Sequence, residues 1–248
     1  MTSVARSSLT LLTTFFLVFG LHGQETCSEE VKLLLSPTQL QPAILAFHAR
    51  KETHGRVYFY DTPALDLLSK GVILRLREGA EIDLTAKLRP LSGEKFVDPS
   101  GPRERYKCEV DLNDGVENES FSLRNKYVAA KAPVTGEELF QLLSKRQKKL
   151  LEESNVQIDW KRVKRIAEIQ STNWKSRAKP RLGNLSVELW EWPRGSILEV
   201  SKRVVKDAGQ ATYVELKVLA KKNGLELNTD QRSKTTIALG AISTAHQP

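Results

Sequence analysis

The chain has few residues of the kinds that most often build metal or nucleophilic centres. Its 248 residues include two cysteines and four histidines. The cysteines, Cys27 and Cys108, form no CxxC pair or Cys/His cluster, so a structural zinc site is not expected. No Ser/His/Asp or nucleophilic cysteine arrangement is recognisable either. The chemistry of this protein must therefore rest on other residue types.

Long apolar segments are also scarce, with one exception near the N-terminus. Arg6 is followed by LTLLTTFFLVFGLHG, an apolar run that ends in small and polar residues. This order predicts a secretory signal peptide over residues 1–23. An uncleaved anchor helix is the alternative, but the run is short for a bilayer span, which needs roughly 20 apolar residues. We therefore expect an exported protein, periplasmic or secreted, that has no membrane contact after cleavage.

Export would allow the two cysteines to form a disulfide. Oxidising compartments favour disulfides, so Cys27 and Cys108 could pair. Whether their segments are neighbours cannot be read from the sequence. A disulfide and two separate thiols both remain open.

Positive charge is in excess, with 38 Lys and Arg against 30 Asp and Glu and a formal net charge of +8. This balance indicates an acidic partner but does not choose among anions, polyanions and anionic surfaces. The charge also permits nucleic-acid binding. No stacking motif or recognition helix accompanies it, so no nucleic-acid partner is expected.

Hydrophobic periodicity predicts an α+β protein with about eight strands and three or four helices. One domain is expected over residues 24–240, followed by a disordered tail at 241–248. The predicted strands lie at 29–35, 56–61, two within 71–90, 105–112, and three between 163 and 204. The predicted helices lie at 36–50, 62–70, 135–154 and 207–224.

Strand after strand has one apolar face and one charged face. In the predicted hairpin at 71–90, Arg75 and Arg77 alternate along one strand, and Lys87 and Arg89 along the other. Side chains at i and i+2 share a face, so four cations lie together. Two arrangements fit this pattern: an open antiparallel sheet with its charged face in water, or a closed antiparallel barrel whose charged faces line a tunnel. The apolar stripes of the predicted helices favour the barrel, because they can cover its outside.

The order of these segments resembles the CYTH domain, also called the triphosphate tunnel metalloenzyme superfamily. The resemblance covers roughly residues 28–240. It is carried by EEVKLLL, YFYDTPALDLLSKGVILRLRE, LTAKLRP, YKCEVDL, VELWEW, LEVSKRV and RSKTTIAL. It implies an eight-stranded antiparallel tunnel with helices packed outside.

The resemblance also implies a site. Basic side chains of such tunnels hold a triphosphate, and here the matching residues are Lys32, Arg75, Arg77, Lys87, Arg89, Lys107 and Lys234. Acidic side chains hold Mg²⁺ or Mn²⁺, and the matching residues are Glu30, Glu109, Asp111, Glu188 and Glu199. Three further acidic positions of the family carry Ser28, Trp192 and Ser201 instead.

Two functions are therefore open. The first is a metal-dependent phosphohydrolase acting on a triphosphate or short polyphosphate, with charge neutralisation as its main means of catalysis. The second is a non-catalytic binding protein for a phosphate ligand or another polyanion, which the missing acids and export both favour. Either way, the expected partner is a small anionic phosphate ligand. Adenylyl cyclase activity is not expected, because its substrate would be scarce outside the cytoplasm.

Overall fold

The computed structural model describes residues 27–89, 107–127, 132–176, 183 and 185–244. The expected signal peptide lies outside these residues. In the described part, the strands are β1 Ser28–Leu35, β2 Ala49–Asp61, β3 Val72–Glu78, β4 Ile82–Leu88, β5 Lys107–Asn113, β6 Val116–Tyr127, β7 Lys164–Ser176, β8 Leu185–Trp192 and β9 Gly195–Val204. The α-helices there are α1 Leu40–Ala46, α2 Gly136–Leu142, α3 Lys145–Glu153, α4 Gly209–Lys222 and α5 Lys234–Thr244. None of these helices is long and apolar enough to cross a membrane.

The strands form one closed barrel in the order β1-β5-β6-β4-β3-β2-β7-β8-β9. All neighbours pair antiparallel except β1 and β5, which are parallel. The prediction of eight antiparallel strands is therefore wrong in number and direction, although the closed barrel is confirmed. In a closed ring, directions can alternate throughout only when the strand number is even. The ninth strand therefore requires at least one parallel contact.

The strand that sequence reasoning missed is β6. Its sequence, VENESFSLRNKY, is rich in polar residues and has only Val116 as a β-branched aliphatic side chain. A local signal was present in the preceding turn, because Asp-Gly is a preferred pair in two-residue hairpin loops. Asp114 and Gly115 have φ values of 48° and 76°, the positive values that such loops require. This turn joins β5 to β6.

The helices are shorter than predicted. The segment at 36–50 gives a 3₁₀ turn and α1, because β2 already begins at Ala49. The segment at 62–70 is mostly turn, with one 3₁₀ turn at Leu68–Lys70. The segment at 135–154 divides into α2 and α3, since Leu143 is extended and Ser144 caps the second helix. At the C-terminus, α5 extends to Thr244, so residues 241–244 of the expected tail are helical.

Three apolar clusters hold the fold together, two outside the barrel and one inside. Helices α1 and α4 pack on the outer faces of β1, β8 and β9, and α2 and α3 pack outside β3, β4 and β6. The third cluster uses strand residues that share the inward face with the charged side chains. Phe59, for example, lies opposite Arg75, and Leu34 lies opposite Glu199. Helix α5 packs against this inner cluster and fills one end of the barrel.

Cys27 and Cys108 form a disulfide, which decides between the two alternatives left open by the sequence. The bond joins the residue before β1 to β5. It therefore connects the two strands that form the parallel contact.

Candidate functional site

The charged strand faces point inward and line a cavity of about 430 Å³. This decides between the open sheet and the barrel: four basic residues of the 71–90 segment, Arg75, Arg77, Lys87 and Arg89, lie on the cavity wall. The outward faces of the same strands carry Leu74, Leu76 and Leu88 and other apolar residues of the core. All of the predicted basic residues line the cavity, namely Lys32, Arg75, Arg77, Lys87, Arg89, Lys107 and Lys234.

The predicted acidic residues are divided between the wall and the layer behind it. Glu30, Glu109, Glu188 and Glu199 line the cavity. Asp111 has no exposed surface and lies behind the basic residues. Three cations surround it, with Lys32 Nζ at 2.6 Å, Arg89 Nη2 at 3.0 Å and Lys87 Nζ at 3.3 Å from its carboxylate oxygens.

The electrostatics of this group follow from burial and its neighbours. Burial favours the neutral acid, but the surrounding cations outweigh it and hold the pKa of Asp111 far below its usual value. Burial likewise opposes the charge of Lys32, but Asp111, Glu30 and Glu199 together raise its pKa. Lys87 is different, since burial and repulsion from Lys32 and Arg89 outweigh the attraction of Asp111 and lower its pKa to about 8.

A second group joins β8, β9 and the start of α5. Glu188 and Glu199 are register partners on adjacent strands, and Lys234 Nζ donates to both carboxylates, at 2.7 Å to Glu199. Glu188 also accepts from Ser171 Oγ at 2.7 Å and from Trp190 Nε1 at 2.9 Å. Although burial opposes ionisation, Lys234 and Arg77 hold the pKa of Glu188 well below its usual range.

A third group lies where the cavity wall includes the exposed residues Lys107 and Arg203, and we call this end of the barrel the mouth. Glu109 is in contact with Lys107, and the Nζ of Lys87 and an Nη of Arg203 each lie 3.9 Å from its oxygens. Burial opposes its ionisation, but Lys87 and Lys107 lower the pKa of Glu109. Glu30 lies 3.6 Å from Lys32 Nζ.

Arg75 and Arg77 differ from the five other predicted basic residues of the wall, each of which has a carboxylate within 4.0 Å. Among the described residues neither has a carboxylate partner within 4.0 Å, and the buried Nε atom of each has no hydrogen-bond partner. Burial, with repulsion from Arg77, lowers the pKa of Arg75 to about 9. Two guanidinium groups thus lie side by side in the cavity with no carboxylate of the described residues within 4.0 Å, although Glu188 and Asp83 act on them from farther away.

Sequence reasoning missed several residues of the wall. On β7, Ser171, Asn173 and Lys175 face the cavity and alternate with Thr172 and Trp174. The alternation was visible in the STNWKS segment, but no charge pair marked it. Arg124 was missed together with β6, and Arg203 follows Ser201 at the next inward position of β9. The side chains of Arg124 and Arg203 are exposed, whereas Arg75 is only partly exposed.

The end opposite the mouth is filled by apolar side chains. Trp190 has no exposed surface and packs edge-on against Phe59, with ring centroids 5.8 Å apart. Leu34 and Ile197 from the strands and Leu239 from α5 complete this inner cluster. The cavity is therefore accessible from the mouth and closed at the α5 end.

Among the described residues, the predicted carboxylate ligands do not form a group of three whose ligand atoms lie within 4.8 Å of one another. In the part of the chain that the structure describes, one group of three possible ligands lies within 4.8 Å, namely Cys27, Cys108 and Glu119. Its two sulfur atoms already form the disulfide. The predicted ligand set is instead engaged by ammonium and guanidinium groups, so its assignment to Mg²⁺ or Mn²⁺ stays a prediction.

Of the comparisons with known proteins, only the one with solved structures gives matches. No family model matches the chain, and no curated protein matches it significantly. Among solved structures, a candidate adenylyl cyclase from Hippeastrum, described as having a dominant triphosphatase activity, superposes with a TM-score of 0.58. It is 20% identical in sequence, and the alignment covers 86% of this chain and 95% of that one.

A candidate adenylate cyclase from Bacillus halodurans is similar, with a TM-score of 0.57 and 13% identity over 85% of this chain and 96% of that chain. Identities this low show the fold alone. The chain therefore shares the fold of these two proteins, a closed barrel, and here the barrel has a charged interior.

Proposed function

We propose that this protein binds a triphosphate or short polyphosphate anion in its tunnel. The observation that carries the proposal is the pair Arg75 and Arg77, which line the cavity with buried, unpaired Nε atoms and have no carboxylate of the described residues within 4.0 Å. A buried charge without a partner is costly, and a bound anion removes that cost. Arginine also suits phosphate, because its planar fork donates two parallel hydrogen bonds.

The surrounding wall supports an extended anion in preference to a single phosphate. Lys87 lies on β4, which pairs with the strand of the arginine pair, and Arg89 directly follows β4. Lys175, Arg124 and Arg203 add further positive charge to the same cavity wall. A cavity of about 430 Å³ lies in the range of small-ligand sites. The protein from Hippeastrum that has a similar fold is described as having a dominant triphosphatase activity, which also favours a triphosphate as the ligand.

Hydrolysis of that anion with Mg²⁺ or Mn²⁺ is the second candidate. It is supported by the triphosphatase activity described for the Hippeastrum protein. Mg²⁺ usually needs only one or two carboxylates in addition to substrate phosphates and water, so a reduced acidic set does not by itself remove it. The predicted signal peptide would place either function in the periplasm or outside the cell.

The test uses the mature chain, residues 24–248, with tripolyphosphate and thermal unfolding as the readout. Ligand at a hundred times its dissociation constant should stabilise the wild type by about 2.7 kcal/mol. Arg75→Met/Arg77→Met should lose this effect, because it removes the two guanidinium groups that we propose as donors to the phosphate, and without ligand it should still unfold in one cooperative transition. The control is Lys221→Met/Lys222→Met, which removes the same charge from the exposed surface of α4.

Two results would contradict the proposal: no stabilisation of the wild type by tripolyphosphate, or equal stabilisation of both double variants. Phosphate release is measured in the same samples with Mg²⁺ or Mn²⁺ added. Release that disappears with the arginine pair establishes hydrolysis, whereas binding without release establishes a binding protein.

A further inference from the structure

The ammonium group of Lys234 lies between two carboxylates that a metal ion would otherwise share. Its Nζ donates to Glu188 Oε2 and to Glu199 Oε1. All three side chains are nearly buried, with 12% of Lys234, 14% of Glu188 and 4% of Glu199 exposed. We propose that Lys234 is a built-in replacement for a metal ion at this position, and that the tunnel holds its anion without a divalent cation.

The first argument is that these carboxylates have little capacity left. One oxygen of Glu188 accepts from Ser171 and from Trp190, and the other accepts from Lys234. A metal ion would have to displace an ammonium that is already desolvated and paired. Breaking a buried ion pair by removing one partner is strongly unfavourable.

The second argument is that Lys234 is held in position. It is the first residue of α5, and α5 packs into the closed end of the barrel through Ala238 and Leu239. Its Nζ also lies 4.6 Å from the ring centroid of Trp190, within the range of a cation–π contact. Movement of the ammonium away from the carboxylates would cost both ion pairs and this cation–π contact.

The third argument is that Asp111 is also neutralised by cationic side chains of the protein, namely Lys32, Lys87 and Arg89. Ser201 faces the cavity opposite Lys32, and Trp192 packs against the inner apolar cluster, so neither supplies a ligand oxygen of a carboxylate. In this tunnel, lysine and arginine side chains neutralise the carboxylates. At sites with more carboxylates, metal ions do so.

The first experiment measures Mn²⁺ binding alone, by calorimetry or electron paramagnetic resonance, and is independent of the proposed function. Wild type should bind no Mn²⁺ in the tunnel, whereas Lys234→Met should bind one ion, because two carboxylates are then left adjacent and unneutralised. Adding Glu188→Gln to Lys234→Met should remove the ion again. Lys175→Met is the matched control, because Lys175 donates to Ser186 at 2.7 Å and should give no gain.

Tunnel binding of Mn²⁺ by wild type that is lost in Glu188→Gln would overturn the inference. So would a folded Lys234→Met variant, shown by a cooperative thermal transition, that gains no ion. The second experiment rests on the proposed function and compares tripolyphosphate affinity in EDTA with that in Mg²⁺, with the free anion concentration matched. Equal affinities support the inference, and binding that requires Mg²⁺ overturns it. Failure of tripolyphosphate to bind under any condition refutes the proposed function, while the Mn²⁺ results still decide the role of Lys234.

Discussion

Asp111 has no exposed surface yet carries a charge, because three cations approach it from the cavity wall. The sequence marked it as an inward-facing acid, and the resemblance implied a metal ligand. Its contacts indicate a further role, that of a buried counter-ion that holds Lys32, Lys87 and Arg89 in place. Strand alternation could predict its direction but not its partners, which come from β1 and β4, distant in the chain.

Asp111→Asn should lower the free energy of unfolding at pH 7 by about 3–5 kcal/mol, since three buried cations lose their common partner. The folded-state pKa of Asp111 is lowered, so its contribution is fully present above the unfolded pKa of about 3.9 and is lost as pH falls below that value. The stability difference between wild type and variant should therefore shrink below about pH 4.

Urea unfolding at several pH values measures this difference. The control is Asp207→Asn, an exposed residue whose positive φ of 66° asparagine also tolerates. A difference between wild type and Asp111→Asn that stays constant from pH 7 to pH 3 would refute the counter-ion role.

At the scale of elements, the segment at 135–154 shows what local rules could and could not predict. Its helical periodicity and the capping box at Thr135 and Glu138 were readable from the sequence. The second capping box, Ser144 with Gln147, divides the segment into α2 and α3. Gln147 is fully buried and donates from Nε2 to the backbone oxygens of Leu84 at 2.9 Å and Leu123 at 3.2 Å. It attaches α3 to β4 and β6.

Gln147→Leu should destabilise the protein by about 2–4 kcal/mol, because it removes these hydrogen bonds and the acceptor of the capping box. Lys145→Leu is the comparison, an exposed position of the same helix that should change stability by less than about 0.5 kcal/mol. Denaturant unfolding of both variants measures the effect. Similar midpoints would show that α3 is held by its apolar face alone.

At the scale of the whole molecule, closure of the barrel depends on the parallel contact of β1 with β5. Five residue pairs form this contact, from Ser28–Glu109 to Lys32–Asn113. The disulfide lies beside it and bridges a sequence separation of 81 residues. A cross-link over so long a loop restricts the unfolded chain strongly, by about 4 kcal/mol in the chain-entropy model.

Cys27→Ser/Cys108→Ser should therefore unfold at a lower denaturant concentration, with a loss of stability of roughly 2–5 kcal/mol. Reduction of the wild type by dithiothreitol should reproduce this loss, and the same reductant should leave the double variant unchanged. If reduction does not shift the unfolding midpoint of the wild type, the bond does not contribute to closure.

Because side-chain direction alternates with a period of two residues, the sequence alone predicts which residues of each strand share its charged face. It therefore predicted the basic wall of Arg75, Arg77, Lys87 and Arg89 and, through the helices that must cover the apolar faces, the barrel. Only the tertiary structure decided the number of strands, the parallel contact of β1 with β5, and the closed end. It also decided which cations have partners: Lys234 lies between Glu188 and Glu199, while Arg75 and Arg77 have no carboxylate within reach among the described residues. These features depend on contacts between segments that are distant in the chain, and local sequence patterns do not show such contacts.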